Sequence, residues 1–403
     1  MVDTVKCIIP FTQFFVIAKG YCYSCCPPWT VLGNVGKLND QSIMDVWNGE
    51  RMQYVRKAIL ENKLEKVCNF KYCPYAIEYK DIDLNNCKGD DHHNAIIEQI
   101  KQGKTILETG PYVLAIASSG KCNLRCIMCE SNEKFIPDLK GLEENMYSKL
   151  LPDILPKISR LQLTGNGDPL HNKHSRRFLQ TLDPSKYPSL KIKFITNGNL
   201  FTPKIWDSIK HNNYDAINVS IDGATKETYE KVRKNGKWEV LMNNLELISN
   251  LRRENKFAWF VISFVVLKSN YKEIKQFAEL GIRLGCDKVI FQKNFSLINV
   301  KENINIVHDK KIMIEIAQIL KDPVFDRPEI DTTIIESYKN YANSSHTFVD
   351  NIFTKVKTEL MHYPLLSLYS MIKVAPFLID LPEIYRNKIR PLVKTNKLPK
   401  GIK

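Results

Sequence analysis

Short apolar or alternating blocks recur through the middle of the chain, at Tyr112–Ala117, Arg160–Leu163, Lys191–Ile195, Ala216–Ser220, Trp259–Val266 and Lys288–Phe291. Each reads as a strand. Between them the apolar period lengthens to that of a helix, at Pro203–Lys210, Thr225–Arg233, Trp238–Leu251 and Tyr271–Leu284. Strands alternating with helices predict an α/β fold with a parallel sheet and right-handed crossovers. Six such units predict an open, partial (βα)6 barrel over residues 110–298.

The flanks read differently. Residues 1–90 hold seven of the eleven cysteines, with a helical pattern running through Met52, Val55, Ile59 and Leu60. Residues from about 90 to 110 are polar and predict a helical connector. Residues 299–403 lack cysteine and predict a helical C-terminal extension, broken by Pro364, Pro376 and Pro382. Its aromatic stretch Tyr363–Ile372 and basic end Arg386–Lys403 are expected to close the open side of the barrel or cover the N-terminal segment. An interfacial membrane contact or a partner surface is the other reading.

Composition adds bounds. A chain of 403 residues that is 44% hydrophobic can bury a sizeable core, and its net charge of +14 suits anionic partners, although a generic Lys-rich surface is the preferred reading. No dense Lys/Arg block interleaved with aromatics appears, so nucleic acid is not expected as a partner. The longest nearly unbroken apolar run, Phe257 to Leu267, is too short for a transmembrane segment. The opening residues Met1 to Lys6 do not read as a signal peptide. The cysteines are therefore expected to be reduced ligands in a cytoplasmic protein.

The chemistry concentrates at Cys122-Asn123-Leu124-Arg125-Cys126-Ile127-Met128-Cys129. Three thiols stand on a short loop at the carboxyl end of the first predicted strand, the end at which α/β folds build sites. CxxxCxxC supplies three ligands where a four-iron cluster has four irons, so one iron stays open to a small molecule. A structural zinc site is the plainer alternative, but zinc prefers four ligands in two CxxC pairs.

Cys122, Cys126 and Cys129 resemble the cluster motif of the radical S-adenosylmethionine (radical SAM) enzymes. The resemblance implies a [4Fe–4S] cluster whose open iron takes the amino and carboxylate groups of S-adenosyl-L-methionine. One electron then breaks the sulfonium and releases a 5′-deoxyadenosyl radical. Met128 stands where many members carry an aromatic, and it can still pack on adenine. Thr164-Gly165-Asn166-Gly167-Asp168-Pro169 resembles the family's GGEP stretch, with Asn166 and Asp168 replacing Gly and Glu. That assigns Gly167 and Asp168 to the cofactor's amino group. Thr196-Asn197-Gly198 resembles a common turn of the family and implies close packing near the ligand. Ser220 and Asp222 fall on one face by strand alternation, where short polar groups suit hydroxyl recognition, and both are expected to bind the cofactor. The resemblance implies that Ser220 contacts the cofactor and that Arg233, on the next helix, holds its carboxylate. Helix capping by Ser220 and Asp222, and a surface ion pair for Arg233, are the alternatives.

The N-terminal cysteines resemble an auxiliary-cluster domain of the SPASM or twitch type, usually found after the barrel. Its opening pattern fits Cys7, Gly20 and Cys25, and Cys68-Asn69-Phe70-Lys71-Tyr72-Cys73 follows. The resemblance implies one auxiliary [4Fe–4S] cluster held by Cys7, Cys25, Cys68 and Cys73, with Cys22, Cys26 and Cys87 as alternates. It also implies hydrogen abstraction from an unactivated C–H bond of a peptide or protein, with a sugar or cofactor precursor as lesser options. The electron would come from an external donor such as flavodoxin or ferredoxin. The competing class is a non-enzymatic zinc- or iron–sulfur-stabilised protein that binds an anionic partner.

Overall fold

The structure is a computed structural model. It describes residues 2–26, 30–38, 41–68, 81–117, 119–129, 141–163, 167–294, 309–333 and 335. The strands are β1 (Thr4–Val5), β2 (Gln13–Ile17), β3 (Tyr21–Tyr23), β4 (Gly36–Lys37), β5 (Ile82–Asp83), β6 (Val113–Ala117) and β7 (Arg125–Cys126). They continue as β8 (Arg160–Leu163), β9 (Lys191–Thr196), β10 (Tyr214–Ser220), β11 (Arg233–Lys234), β12 (Phe257–Val266), β13 (Lys288–Lys293) and β14 (Ile330–Asp331).

One open sheet dominates, in the order β14-β13-β12-β10-β9-β8-β6-β2-β3-β4. From β14 to β2 every neighbour pair is parallel, and β3 and β4 finish that edge as antiparallel strands. The mostly parallel, unclosed sheet with helices between its strands is the α/β partial barrel. All six predicted strands are present, at β6, β8, β9, β10, β12 and β13.

Two strands extend the sheet beyond the predicted six. β2 pairs in parallel with β6, from Gln13 beside Val113 to Ile17 beside Ala117, so the N-terminal segment contributes to the same sheet. Its Phe14 and Val16 are fully buried. At the other edge β14 pairs with β13 after the helix Lys310–Ile319. Tyr363–Ile372 and Arg386–Lys403, the core of the predicted C-terminal extension, lie outside the described residues, as do Cys73, Gly165 and Asn166.

The sheet has two unlike faces. Leu161, Ile192, Phe194, Ile217, Val219, Ile262 and Val289 are at most 1% exposed and pack under the helices. The helix Trp238–Arg253 buries Leu241, Leu245 and Ile248 at helical spacing. The helix Ile274–Arg283 lies so close that a Cβ on Gly281 would stand 2.2 Å from Val289 Cγ2. The alternate residues, which include Gln162, Lys193, Asn218 and Ser220, form the opposite face, helix-free among the described residues.

The N-terminal segment is tied to the connector by Arg56, on the helix Glu50–Leu60. Its fully buried guanidinium donates to the carbonyls of Pro10 (3.1 Å) and Thr105 (2.8 Å) and lies 4.1 Å from the Trp47 ring centroid. The predicted connector helix runs Asp91–Lys101.

Candidate active site and cluster sites

The Cys loop is anchored from three directions at the carboxyl ends of the strands. β7 forms an antiparallel ladder with β11, placing Cys126 opposite Arg233 and Arg125 opposite Lys234. The Ile127 N–H donates to the Val232 carbonyl at 2.9 Å, and the Cys129 N–H to the Cys126 carbonyl at 3.1 Å. Ile127 and Met128 pack against Val232 and Leu267. The middle of the motif therefore has a fixed backbone, while Cys129 is exposed at the loop's edge.

The turn after β8 supports the loop from below. Gly167 has φ +82, and a Cβ there would stand 2.4 Å from the Lys121 carbonyl oxygen and 2.6 Å from that of Ser119. Only glycine fits such a position, for backbone angle and for space. The Asp168 N–H donates to the Lys121 carbonyl at 2.9 Å. The Asp168 carboxylate is 3% exposed and already saturated. One oxygen accepts from the Leu170 N–H (2.9 Å) and the His171 N–H (3.3 Å). The other accepts from the Thr196 hydroxyl and the Asn197 N–H, both at 2.8 Å. Asp168 thus joins the turns after β8 and β9 beneath the Cys loop. Gly167→Ala is expected to cost at least about 1–2 kcal/mol from the left-handed backbone alone. It should lower the iron and sulfide content of reconstituted protein several-fold, as colorimetric assay would show.

The turn after β9 reaches the thiols directly. The Asn197 side-chain N–H donates to Asn123 Oδ1 at 2.8 Å and lies 3.6 Å from Cys122 Sγ, which also accepts from the Leu124 N–H at 3.4 Å. Donors to a ligand sulfur favour the more negative, reduced state of a cluster. Asn197→Ala should therefore lower the cluster's midpoint potential. A loss of about 1 kcal/mol corresponds to roughly 40 mV for one electron, measurable by an EPR-monitored redox titration.

Ser220, Asp222 and Arg233 meet differently from the reading by alternation. β10 ends at Ser220, and Asp222 sits beyond it at φ +62. The predicted helix stops at Val232, so Arg233 belongs to β11 rather than to the helix. Asp222 (0% exposed) and Arg233 (7%) form a buried ion pair, with Asp222 Oδ2 2.8 Å from Arg233 Nε and 2.6 Å from Nη2. Asp222 Oδ1 accepts from the Val265 N–H at 2.7 Å. Burial works against the Arg233 charge, but Asp222, Cys126 and Tyr229 together outweigh it and hold the guanidinium protonated. Helix capping falls instead to Thr225, whose side chain accepts from the Thr228 N–H. The Glu273 carboxylate adds to this by accepting from the Ala224 N–H at 2.6 Å and the Thr225 N–H at 3.2 Å. Ser220 shares a hydrogen bond with Ser263, Oγ to Oγ 3.2 Å, on the helix-free face.

A partly buried ion pair backs the start of the Cys loop. Lys121 Nζ stands 3.0 Å from Glu143 Oε2, Glu143 is 5% exposed, and Asn172 donates to its other oxygen. Burial pushes the Cys126 thiol up to about 12 and raises Cys122 as well. Three soft sulfur donors in that setting suit bound iron, whose positive charge reverses the preference and keeps the thiols ionised.

The N-terminal cysteines gather at a second place. Cys7, Cys25 and Cys68 line one cavity of about 110 Å³, together with Lys6, Pro10 and Thr30. Thr30 and Cys68 form an isolated β-bridge that brings the two distant stretches together. Cys22 is different: it is fully buried, its thiol is raised by burial, and it lies 3.6 Å from the Gly20 carbonyl oxygen. Cys87 donates to the Asp83 carbonyl at 3.4 Å. Neither lines the cavity. Among the described residues, no three His, Cys, Asp or Glu side chains stand close enough to share a single metal ion.

Comparison with known proteins agrees with this arrangement. Residues 116–281 match the Radical SAM superfamily, and residues 7–74 match the iron–sulfur cluster-binding domain SPASM. The chain carries a radical SAM domain with a SPASM domain at its N-terminus. These domains use a [4Fe–4S] cluster with S-adenosyl-L-methionine and auxiliary iron–sulfur clusters. The chain is 27% identical over 194 residues to the mycofactocin maturase MftC of Mycolicibacterium smegmatis, covering 47% of this chain and 45% of that protein. It is 25% identical over 183 residues to the AdoMet-dependent heme synthase of Methanosarcina barkeri, covering 44% and 49%. The matched stretches thus span about half the length of these curated relatives. Streptococcus suis SuiB, solved bound to precursor peptide SuiA, aligns at 14% identity with a TM-score of 0.43, over 72% of this chain and 64% of that one. No helix among the described residues is long and apolar enough to cross a membrane.

Proposed function

We propose that this protein is a radical SAM enzyme that modifies a peptide or protein by abstracting hydrogen from an unactivated C–H bond. The observation that carries this reading is the anchoring of Cys122, Cys126 and Cys129 on one loop over Gly167, Asn197 and β11. When bound, the cluster and S-adenosyl-L-methionine supply one-electron cleavage of the sulfonium and a carbon radical.

The chain's own residues hold the parts in place. Cys122, Cys126 and Cys129 would ligate the cleaving cluster, three thiolates for four irons. Gly167 brings the turn after β8 against the loop and gives the cofactor's amino group a close backbone approach. Asp168 holds that turn to Thr196 and Asn197. Ser220 offers a hydroxyl to the cofactor, while Asp222 orients Arg233 toward its carboxylate. Cys7, Cys25 and Cys68, with Cys73, would hold the auxiliary cluster, whose chemistry there would be to bind substrate or relay an electron. An external donor such as flavodoxin or ferredoxin supplies the reducing electron.

A peptide substrate is supported by the SPASM domain and by the relationship to a maturase. The test of the chemistry is anaerobic reconstitution, then incubation with S-adenosyl-L-methionine and dithionite. Brown protein absorbing near 400 nm and formation of 5′-deoxyadenosine are expected. Colourless protein with tightly bound zinc and no 5′-deoxyadenosine would refute it.

A further inference from the structure

We propose that Lys193, Gln162 and Asn218 form a carboxylate-binding site on the helix-free face of the sheet, and that this site takes an acidic side chain or C-terminus of the substrate peptide. The inference rests on the peptide-modifying reading and names the chemical group which that reading leaves open.

The register places the three side chains together. Gln162 pairs with Lys193 across β8 and β9, and Lys193 pairs with Ala216 across β9 and β10. Asn218 is the next residue on that face, beside Ile195. Neighbours side by side in a sheet point the same way. Their in-between partners Leu161, Ile192, Phe194 and Ile217 are buried under the helices, which puts this trio on the opposite face. Ala115 flanks Gln162 and Ala216 flanks Lys193. Two methyl side chains leave room around the long pair.

Their polar groups are unused. Asn218 is 6% exposed, and its Oδ1 has no hydrogen-bond partner among the described residues. Lys193 and Gln162 likewise have none among those residues. The acid nearest Lys193 in effect is Asp215, which already pairs with Arg160 at 3.4 Å. Burial draws Lys193 below the ordinary lysine range, with Asp215 opposing. Orphaned buried polar groups are rare in native proteins, and Asn218 Oδ1, beside the half-buried Lys193 and Gln162 on the same face, marks a surface completed by a ligand.

The chemistry selects a carboxylate. One ammonium is neutralised by one carboxylate, whereas a phosphate dianion would leave uncompensated charge away from water. The two carboxamides donate to the carboxylate oxygens, and Asn218 Oδ1 accepts an amide N–H next to it. Lys193 stands four residues before Asn197, so the site lies roughly 13 Å along the strand from the cluster loop. That interval accommodates the cofactor and the reacting carbon.

The test is 13C NMR of the full-length, anaerobically reconstituted protein with reductively dimethylated lysines, the Lys193 signal assigned by its loss in Lys193→Arg. N-acetylglycine is the probe, with N-acetylglycinamide and inorganic phosphate as comparisons. N-acetylglycine is expected to shift the Lys193 signal saturably in the millimolar range, the amide and phosphate not. Asn218→Leu should weaken this at least tenfold, and Gln162→Leu serves if that variant does not fold. No saturable shift, an equal response to phosphate, or unchanged binding in the folded variant would overturn the site. Formation of 5′-deoxyadenosine is assayed on the same sample. Its absence alongside N-acetylglycine binding removes the enzymatic reading and leaves the carboxylate site. Its presence without that binding removes the site alone.

Discussion

Cys126→Ala is expected to abolish 5′-deoxyadenosine formation, while Cys68→Ala keeps part of it, within about tenfold of the parent. Cys126 is the central thiol of its loop, and its backbone is locked opposite Arg233 by the β7–β11 ladder. No other cysteine among the described residues stands on that loop except Cys122 and Cys129, so two thiols would have to hold a cluster that needs three. Cys68 lines a separate cavity with Cys7 and Cys25. Its loss damages the auxiliary site and leaves the cleaving loop intact. Equal loss in both variants would show that the division of labour between two clusters is wrong.

Arg233→Met is expected to be the most destabilising single change at the site, by about 3–5 kcal/mol, because it strands a buried carboxylate. Asp222 is 0% exposed and would keep only the Val265 N–H as a donor to its side chain. The damage should spread to the cluster, since Arg233 is also the residue opposite Cys126. The double variant Asp222→Asn/Arg233→Met removes both charges and keeps a residue that tolerates the left-handed backbone of position 222. Denaturant unfolding should show most of the lost stability restored in the double variant. If Arg233 also holds the cofactor's carboxylate, 5′-deoxyadenosine formation stays low in that restored protein. A stability loss under 1 kcal/mol in Arg233→Met would contradict a buried pair.

The strands of the barrel were legible because most are buried and short, and their apolar blocks are separated by polar helices of a different period. β10 shows this most clearly, with six of its seven residues buried. β2 was harder to read. Gln13–Ile17 has the apolar content of a strand, but its partner β6 lies about a hundred residues further on, and no local pattern announces a pairing of that range. The cluster loop was legible for the opposite reason, since all three thiols fall within eight residues. Side-chain partnerships were not. Strand alternation put Asp222 beside Ser220, but the left-handed turn at Asp222 sends its carboxylate to Arg233. The role of Asp168 as a junction and the capping by Glu273 depend on where turns meet in space. The one sequence signal for Asn197 was the Thr-Asn-Gly turn, which implied proximity but not the contact with Cys122.

The most direct measurement is Mössbauer spectroscopy of the 57Fe-reconstituted Cys68→Ala protein, in which the Cys loop holds the cleaving cluster. Adding S-adenosyl-L-methionine is expected to change the parameters of a single iron, the one that the three thiols leave open. A spectrum in which every iron is ligated by cysteine and none responds to the cofactor would contradict the open-site assignment.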